Sequence, residues 1–290
     1  MVRATWQRTY SFIKNGWHII IGVENENNRK NRQMKIKKSI EQEELKCMQL
    51  DILSVIDQFC REESIKYSMG CGTMLGAARH KGYIPWDDDI DIYLLREEYD
   101  KLMKRFPKVL KNVKIASLQR DLKWDKAWAK AYDCRTEAQD AGSKYRIGIG
   151  IDVYPIDCVP GDIDEWYKYD KKRRFFQQIY GWKISMTYRK GRAVWKYIFL
   201  PFIKLFLLPI SARCIAKFIE QYSMKYRNTG SPYVFECCQG IIQKNRFKRS
   251  TLENIIDMPF GDRVFYGMKD YDEYLSNAYG NWRELPPKEK

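Results

Sequence analysis

Between Tyr67 and Tyr99 the chain reads YSMGCGTMLGAARHKGYIPWDDDIDIYLLREEY, with four aspartates set in an aliphatic run. Asp89 and Asp91 alternate with Ile90 and Ile92. A period of two sends both carboxylates to one face of a strand while the isoleucines enter a core. Anions held side by side repel unless a cation joins them, and Mg²⁺ is bound by one or two carboxylates together with substrate phosphates. The segment therefore predicts half of a metal-dependent phosphoryl-transfer site, with a Gly-Thr turn and a helix just before it.

A solvated loop is the ordinary fate of an acidic run. Here Tyr83-Ile84-Pro85-Trp86 before it and Ile92-Tyr93-Leu94-Leu95 after it are apolar and draw the aspartates against a core. An EF-hand is excluded because Ile92 stands where that loop needs glycine for its sharp turn. Gly70, Gly72 and Gly76 are spaced one residue too widely for a dinucleotide fingerprint, and the lysine of a P-loop is absent.

The eight cysteines include no CxxC pair, which argues against zinc and for a reducing compartment. With only His18 and His80 in 290 residues, catalysis falls to carboxylates. The net charge of +15 is unevenly placed. Residues 1–38 hold nine Lys/Arg against two acids and residues 165–217 hold thirteen against two, leaving the rest slightly acidic. A nucleic-acid partner is not expected from that distribution. Basic residues interleaved with bulky apolar ones suit an anionic membrane surface. The most apolar run, Val194 to Ile210, is interrupted by Lys196, Lys204, Pro201 and Pro209, so it reads as interfacial or buried helix pieces and not as a span. Trp17 to Val23 is too short to cross a membrane, and no secretory signal is expected.

Along the chain, apolar spacing predicts an amphipathic helix from about Lys38 to Glu63, a strand at Lys66 to Met69 and a helix capped by Thr73 and running to Arg79. Further strands are expected at Ile90 to Leu94, Val113 to Ser117, Trp124 to Tyr132 and Gly148 to Asp157, with a helix from Arg96 to Phe106 stopped by Pro107. Asp152, between aliphatic neighbours, is a candidate third carboxylate; a strand-end acid satisfied by backbone donors is the alternative. Helices follow Asp162. The organisation predicted is a basic extension (residues 1–38), a catalytic core (39–160) and a helical region (161–290) ending in a helix docked through Tyr271, Tyr274, Leu275 and Tyr279.

The strings GCGTMLGAARHKGYIPWDDDIDIYLLREEYDKL, IDVYPID and FGDRVFYGMKDYDEYLSNAYGNWRELPP together resemble the LicD family of phosphotransferases, relatives of fukutin and the fukutin-related protein. The resemblance runs from about Glu41 to Pro287 and is weak over residues 181–250. It implies an α/β nucleotidyltransferase fold, a mixed sheet with flanking helices. It implies that Gly72-Thr73 grips nucleotide phosphates and that Asp89, Asp91 and Asp152 are the catalytic, metal-holding acids for Mg²⁺ or Mn²⁺. It also implies transfer of a phosphorylated alcohol, often phosphocholine, from CDP-choline or another CDP-alcohol to a sugar hydroxyl of a lipid-linked surface glycan precursor, such as that of lipopolysaccharide, teichoic acid or capsule.

On that reading Asp87 and Asp88 are second candidates for the acid roles. Arg79, Lys81 and Lys130 are candidate phosphate contacts, with solvent-facing structural roles as the alternative. Trp86 is expected to pack under the loop. The enzyme would work in the cytoplasm, peripheral at the inner membrane face. The rivals are a nucleotidyltransferase acting on a nucleoside triphosphate and, in another class, a non-catalytic basic adaptor for a membrane surface or nucleic acid. A DxD glycosyltransferase leaves the Gly-Thr turn unexplained.

Overall fold

The computed structural model describes residues 20–21, 36–37, 42–139, 146–184, 194–239 and 245–285. Most of the basic extension, residues 1–38, and the closing prolines Pro286 and Pro287 thus lie outside the described residues. In chain order the elements are β1 (Ile20–Ile21), β2 (Ile36–Lys37), α1 (Gln42–Glu62), β3 (Ser68–Met69), α2 (Cys71–His80), β4 (Asp91–Leu95) and α3 (Arg96–Arg105). They continue as β5 (Val113–Ala116), β6 (Ala129–Asp133), β7 (Thr136–Gln139), β8 (Arg146–Ile147), β9 (Gly150–Cys158), α4 (Ile163–Ile184), α5 (Val194–Phe206) and α6 (Ala212–Ser223). The chain closes with β10 (Tyr233–Phe235), β11 (Phe247–Lys248), α7 (Ser250–Glu253), β12 (Ile255–Phe260), β13 (Arg263–Met268) and α8 (Tyr271–Tyr279).

β9 is the spine of a mixed sheet. It pairs in parallel with β4 from Asp91↔Asp152 to Leu95↔Ile156, and antiparallel with β6 and β10. β3 extends the sheet beside β4, β5 beside β6 and β11 beside β10, so strands from either side of Pro160-Gly161 share it. Ile92, Leu94, Ile151, Val153 and Ile156 are buried, which suits central strands covered on both faces. This is the α/β mixed sheet with flanking helices that the resemblance implies. A second small sheet runs in the order β2-β1-β7-β8.

α1 buries Ile52, Leu53, Ile56, Phe59 and Cys60, the stripe its apolar spacing predicts. α3 stops at Arg105 because Phe106 precedes Pro107 and is extended (ψ 129°). Arg96 of α3 ties the sheet to the helical layer. Its guanidinium donates two 2.7 Å hydrogen bonds to Asp157 of β9 and one of 3.4 Å to Glu220 of α6, all buried. α4 and α6 pack through the Tyr169–Tyr222 stack (5.0 Å) and the Phe176–Phe218 edge contact (4.7 Å).

One expectation changes and another narrows. Trp124 to Tyr132 is not one strand: β6 begins at Ala129, because the buried Trp124 indole takes the Trp128 carbonyl at 2.7 Å and holds that stretch as a loop. For residues 194–210, where the sequence leaves interfacial and buried helix pieces both open, the structure has α5 and a following turn with Phe202, Leu205, Phe206 and Leu208 exposed. No helix among the described residues is long and apolar enough to cross a membrane. The sequence reading also has no counterpart for β12–β13, a hairpin registered from Ile255↔Met268 to Phe260↔Arg263. Its two-residue turn places Gly261 at φ 66°, a left-handed conformation that favours glycine.

Candidate active site

The acidic segment is built by three local devices. The first is the turn into α2. Gly70, extended at φ −128°, precedes the helix, and Thr73 is not its cap but a buried residue of its first turn. The Thr73 hydroxyl instead accepts the Asp91 amide at 2.8 Å, while the Gly70 amide donates to the Asp91 carbonyl at 2.9 Å. The turn therefore grips the Asp91 peptide from both sides. Cys71, between them, has φ 44°, a conformation that costs a non-glycine residue about 1–3 kcal/mol. It is held by its amide donating to the Tyr274 hydroxyl of α8 at 3.1 Å and by its sulfur lying 2.7 Å from the Tyr93 hydroxyl.

The second device is the loop Asp87–Asp89. Asp87 closes a turn with its amide on the Ile84 carbonyl at 2.9 Å. Gln49, buried in α1, donates to the Asp88 carbonyl at 2.9 Å and accepts from the Tyr83 hydroxyl at 2.9 Å. Gly72 faces this loop. A Cβ there would come within 2.5 Å of the Asp87 Oδ2, so the glycine makes room for a carboxylate.

The third device is sheet register. Asp152 of β9 lies opposite Asp91 on one neighbour and opposite Lys130 on the other, which lines the three up across the sheet. Lys130 Nζ reaches Asp152 Oδ1 at 3.0 Å. The Tyr154 hydroxyl is 3.4 Å from Asp152 Oδ2 and donates to Gln239 Oε1 at 2.7 Å. Trp128 stacks on Tyr154 at 5.6 Å, and its buried indole N–H meets no acceptor among the described residues.

Electrostatically the site is overloaded with negative charge. Burial, then the charges of Asp152 and Asp87, holds the Asp91 carboxyl well above the ordinary carboxylate range. Asp89 keeps one side open to solvent, yet the surrounding protein, then Asp91 and Asp87, raises it in the same way. Asp87 is raised too, mainly by burial. Oxygens of Asp87, Asp88 and Asp89 converge within 4.8 Å of one another. Asp87 and Asp89 each shift the other's proton affinity, as carboxylates held this close must. Hard oxygen donors without histidine or thiolate fit Mg²⁺ or Mn²⁺ in preference to zinc.

Of the cations expected at phosphate, Lys130 lies among these carboxylates. Arg79 points elsewhere: its guanidinium donates to the Trp282 and Glu284 carbonyls at 2.8 and 3.2 Å and so holds the C-terminal segment. Lys81 is exposed at the left-handed end of α2 (φ 57°), and its carbonyl receives the Gly261 amide of the hairpin at 2.7 Å. Trp86 is exposed and does not pack under the loop. Gln49 and Tyr154 are supporting residues that sequence reasoning missed, and Tyr274, expected only to dock the terminal helix, also holds the Cys71 amide. Gln49 carried a signal, as a polar residue on the buried stripe of α1, four positions after Leu45 and three before Ile52.

Comparison with known proteins bears on the same region. The family described as LicD/FKTN/FKRP, nucleotidyltransferase domain, matches residues 64–194, which include the turn, the acidic loop, Lys130 and Asp152. The lipopolysaccharide cholinephosphotransferase LicD of Haemophilus influenzae is 31% identical over 256 residues, 87% of this chain and 94% of that protein. An uncharacterized protein of Rickettsia prowazekii is 46% identical over 46 residues, 16% of this chain and 17% of that one. Likeness to a LicD protein over nearly the whole length, joined to the domain match across the carboxylate cluster, leads to one assignment: the chain belongs to the LicD family.

Proposed function

We propose that this protein is a metal-dependent phosphotransferase that moves a phosphorylated alcohol from its CDP ester to a sugar hydroxyl of a cell-surface glycan precursor. Family membership supports a transferase, and a relative named as a lipopolysaccharide cholinephosphotransferase supports phosphocholine as the group and a glycan as the acceptor. The observation that carries the chemistry is the unbalanced cluster of Asp87, Asp89 and Asp91, raised by burial and mutual repulsion, with Asp152 in register beside it.

Asp89, Asp91 and Asp152 would hold Mg²⁺ or Mn²⁺, which when bound supplies positive charge to the diphosphate oxygens. The acceptor hydroxyl oxygen forms a bond to the distal phosphorus and gives up its proton to a carboxylate, for which Asp152, in register beside Asp91, is the candidate. The phosphorus–oxygen bond to the bridging oxygen breaks, and CMP leaves with that electron pair. The protein's part is positioning and charge neutralisation. Thr73 and Gly70 fix Asp91, Lys130 adds a fixed positive charge beside Asp152, and the unmet Trp128 N–H is a donor available to a substrate oxygen.

The test is CMP release from CDP-choline and a panel of other CDP-alcohols, with Mg²⁺ and a lipid-linked glycan fraction, comparing wild type with Asp89→Ala. Acceptor-dependent CMP that vanishes in the variant is the expected result and identifies the donor. Pyrophosphate release from a nucleoside triphosphate, with no CMP from any CDP-alcohol, would replace this reading with nucleotidyl transfer.

A further inference from the structure

The helical layer carries an apolar surface that the transfer reaction does not use. On α5, Phe202, Leu205 and Phe206 fall at helical spacings of three and four and are 61%, 66% and 81% exposed. Leu208, in the turn that follows, is 70% exposed, and Ile210 continues the run. Leu200, by contrast, is buried, so α5 has an inner side and an outer one. The turn is anchored from behind, where Lys183 of α4 donates to the Leu207 carbonyl at 2.8 Å.

We propose that this outer side, Phe202 to Ile210, is a wedge that seats the protein on an anionic lipid surface. Three observations select that occupant. First, α5 has 13 residues and is followed by Pro209, so it extends only ~20 Å against the ~30 Å of a bilayer core and suits the interface. Second, the neighbouring helices display cations: Lys171, Lys172 and Arg174 of α4 and Lys217 of α6 are exposed, in a stretch where thirteen basic residues face two acids. Third, a second copy meeting this face symmetrically would bring those like charges together, and nucleic acid would match the charge but leave the aliphatic wedge in water. An anionic bilayer matches both properties.

The experiment is flotation of the full chain with vesicles of phosphatidylcholine alone or containing phosphatidylglycerol, at low and high salt and with no substrate. A failure here therefore leaves the transferase reading untouched. Wild type is expected to float with the anionic vesicles at low salt only. Phe206→Ser with Leu208→Ser should weaken that binding about tenfold or more. Reversing Lys171 and Lys172 to Glu should weaken it about fivefold per residue. Both variants keep the basic first 38 residues, and circular dichroism establishes that they fold.

Three results would overturn the inference. Wild type could stay at the bottom with anionic vesicles at low salt. The folded Phe206/Leu208 variant could float as well as wild type, which would move binding to another part of the chain. Sedimentation equilibrium could reveal a wild-type dimer that the same two substitutions split, which would make the wedge a self-association face.

Discussion

The carboxylate cluster and the Arg96 network bury charge in opposite ways. At Arg96 each buried charge has a partner: two oxygens of Asp157 and one of Glu220 take its donors, and Gln119 binds the same Glu220 oxygen at 2.6 Å. At Asp87, Asp89 and Asp91 like charges are gathered, and the backbone clamps that hold them leave the carboxylates facing one another. A satisfied ion network is architecture. A held surplus of one sign costs the fold stability that protons or a bound cation would relieve, and it is this that supports the proposed metal site.

The sharpest way to break that contrast is to remove one charge from each. Asp91→Asn keeps the backbone that Thr73 and Gly70 hold, so we expect CMP release to fall by about 10³-fold or more while the metal-free protein melts at a higher temperature than wild type. Activity assays and thermal melts on the same preparation check both halves. A variant that melted lower would mean that the cluster is not under repulsion. Arg96→Met does the reverse. It strands Asp157 and should cost about 3–5 kcal/mol in urea denaturation, with turnover per folded molecule little changed.

A pH series sharpens the difference next. The folded protein binds protons on Asp89 and Asp91 more tightly than the unfolded chain does, so this contribution is complete below the ordinary carboxylate pKa and is lost as pH rises through the raised values. Metal-free protein should therefore lose stability with rising pH, and Mg²⁺ should flatten the curve. Melting temperature against pH, with and without Mg²⁺, reads this directly, and parallel curves would refute cation binding at the cluster. The smallest effect belongs to the clamp. Thr73→Val leaves the Asp91 amide without its acceptor and should cost about 1–3 kcal/mol, whereas Thr73→Ser, which keeps the hydroxyl, should cost less.

What could be read in advance follows from where the signal lies. The apolar stripe of α1 is a local periodicity that the structure reproduces, whereas β4 begins only at Asp91, so Asp89 sits in the preceding loop and not beside Asp91 on one strand. The pairing of Asp152 with both Asp91 and Lys130 is a matter of strand register, which no local pattern states. Thr73 looked like a cap because threonine often caps helices, but its hydroxyl met a strand amide distant in sequence. Arg79 looked like a phosphate ligand and serves tail carbonyls instead. The β12–β13 hairpin was legible in principle, since Gly261-Asp262 between alternating residues is a hairpin turn signal.

The bond from the Cys71 amide to the Tyr274 hydroxyl joins residues 203 positions apart. Arg79 reaches the Trp282 carbonyl across the same separation. During synthesis the acidic loop leaves the ribosome roughly 10–40 s before those partners are made. For that interval the turn that grips Asp91 lacks the hydroxyl that holds Cys71 in its left-handed conformation. Assembly of the site is therefore among the last events in making this protein, and a nascent chain arrested short of α8 carries the aspartates without the brace behind them.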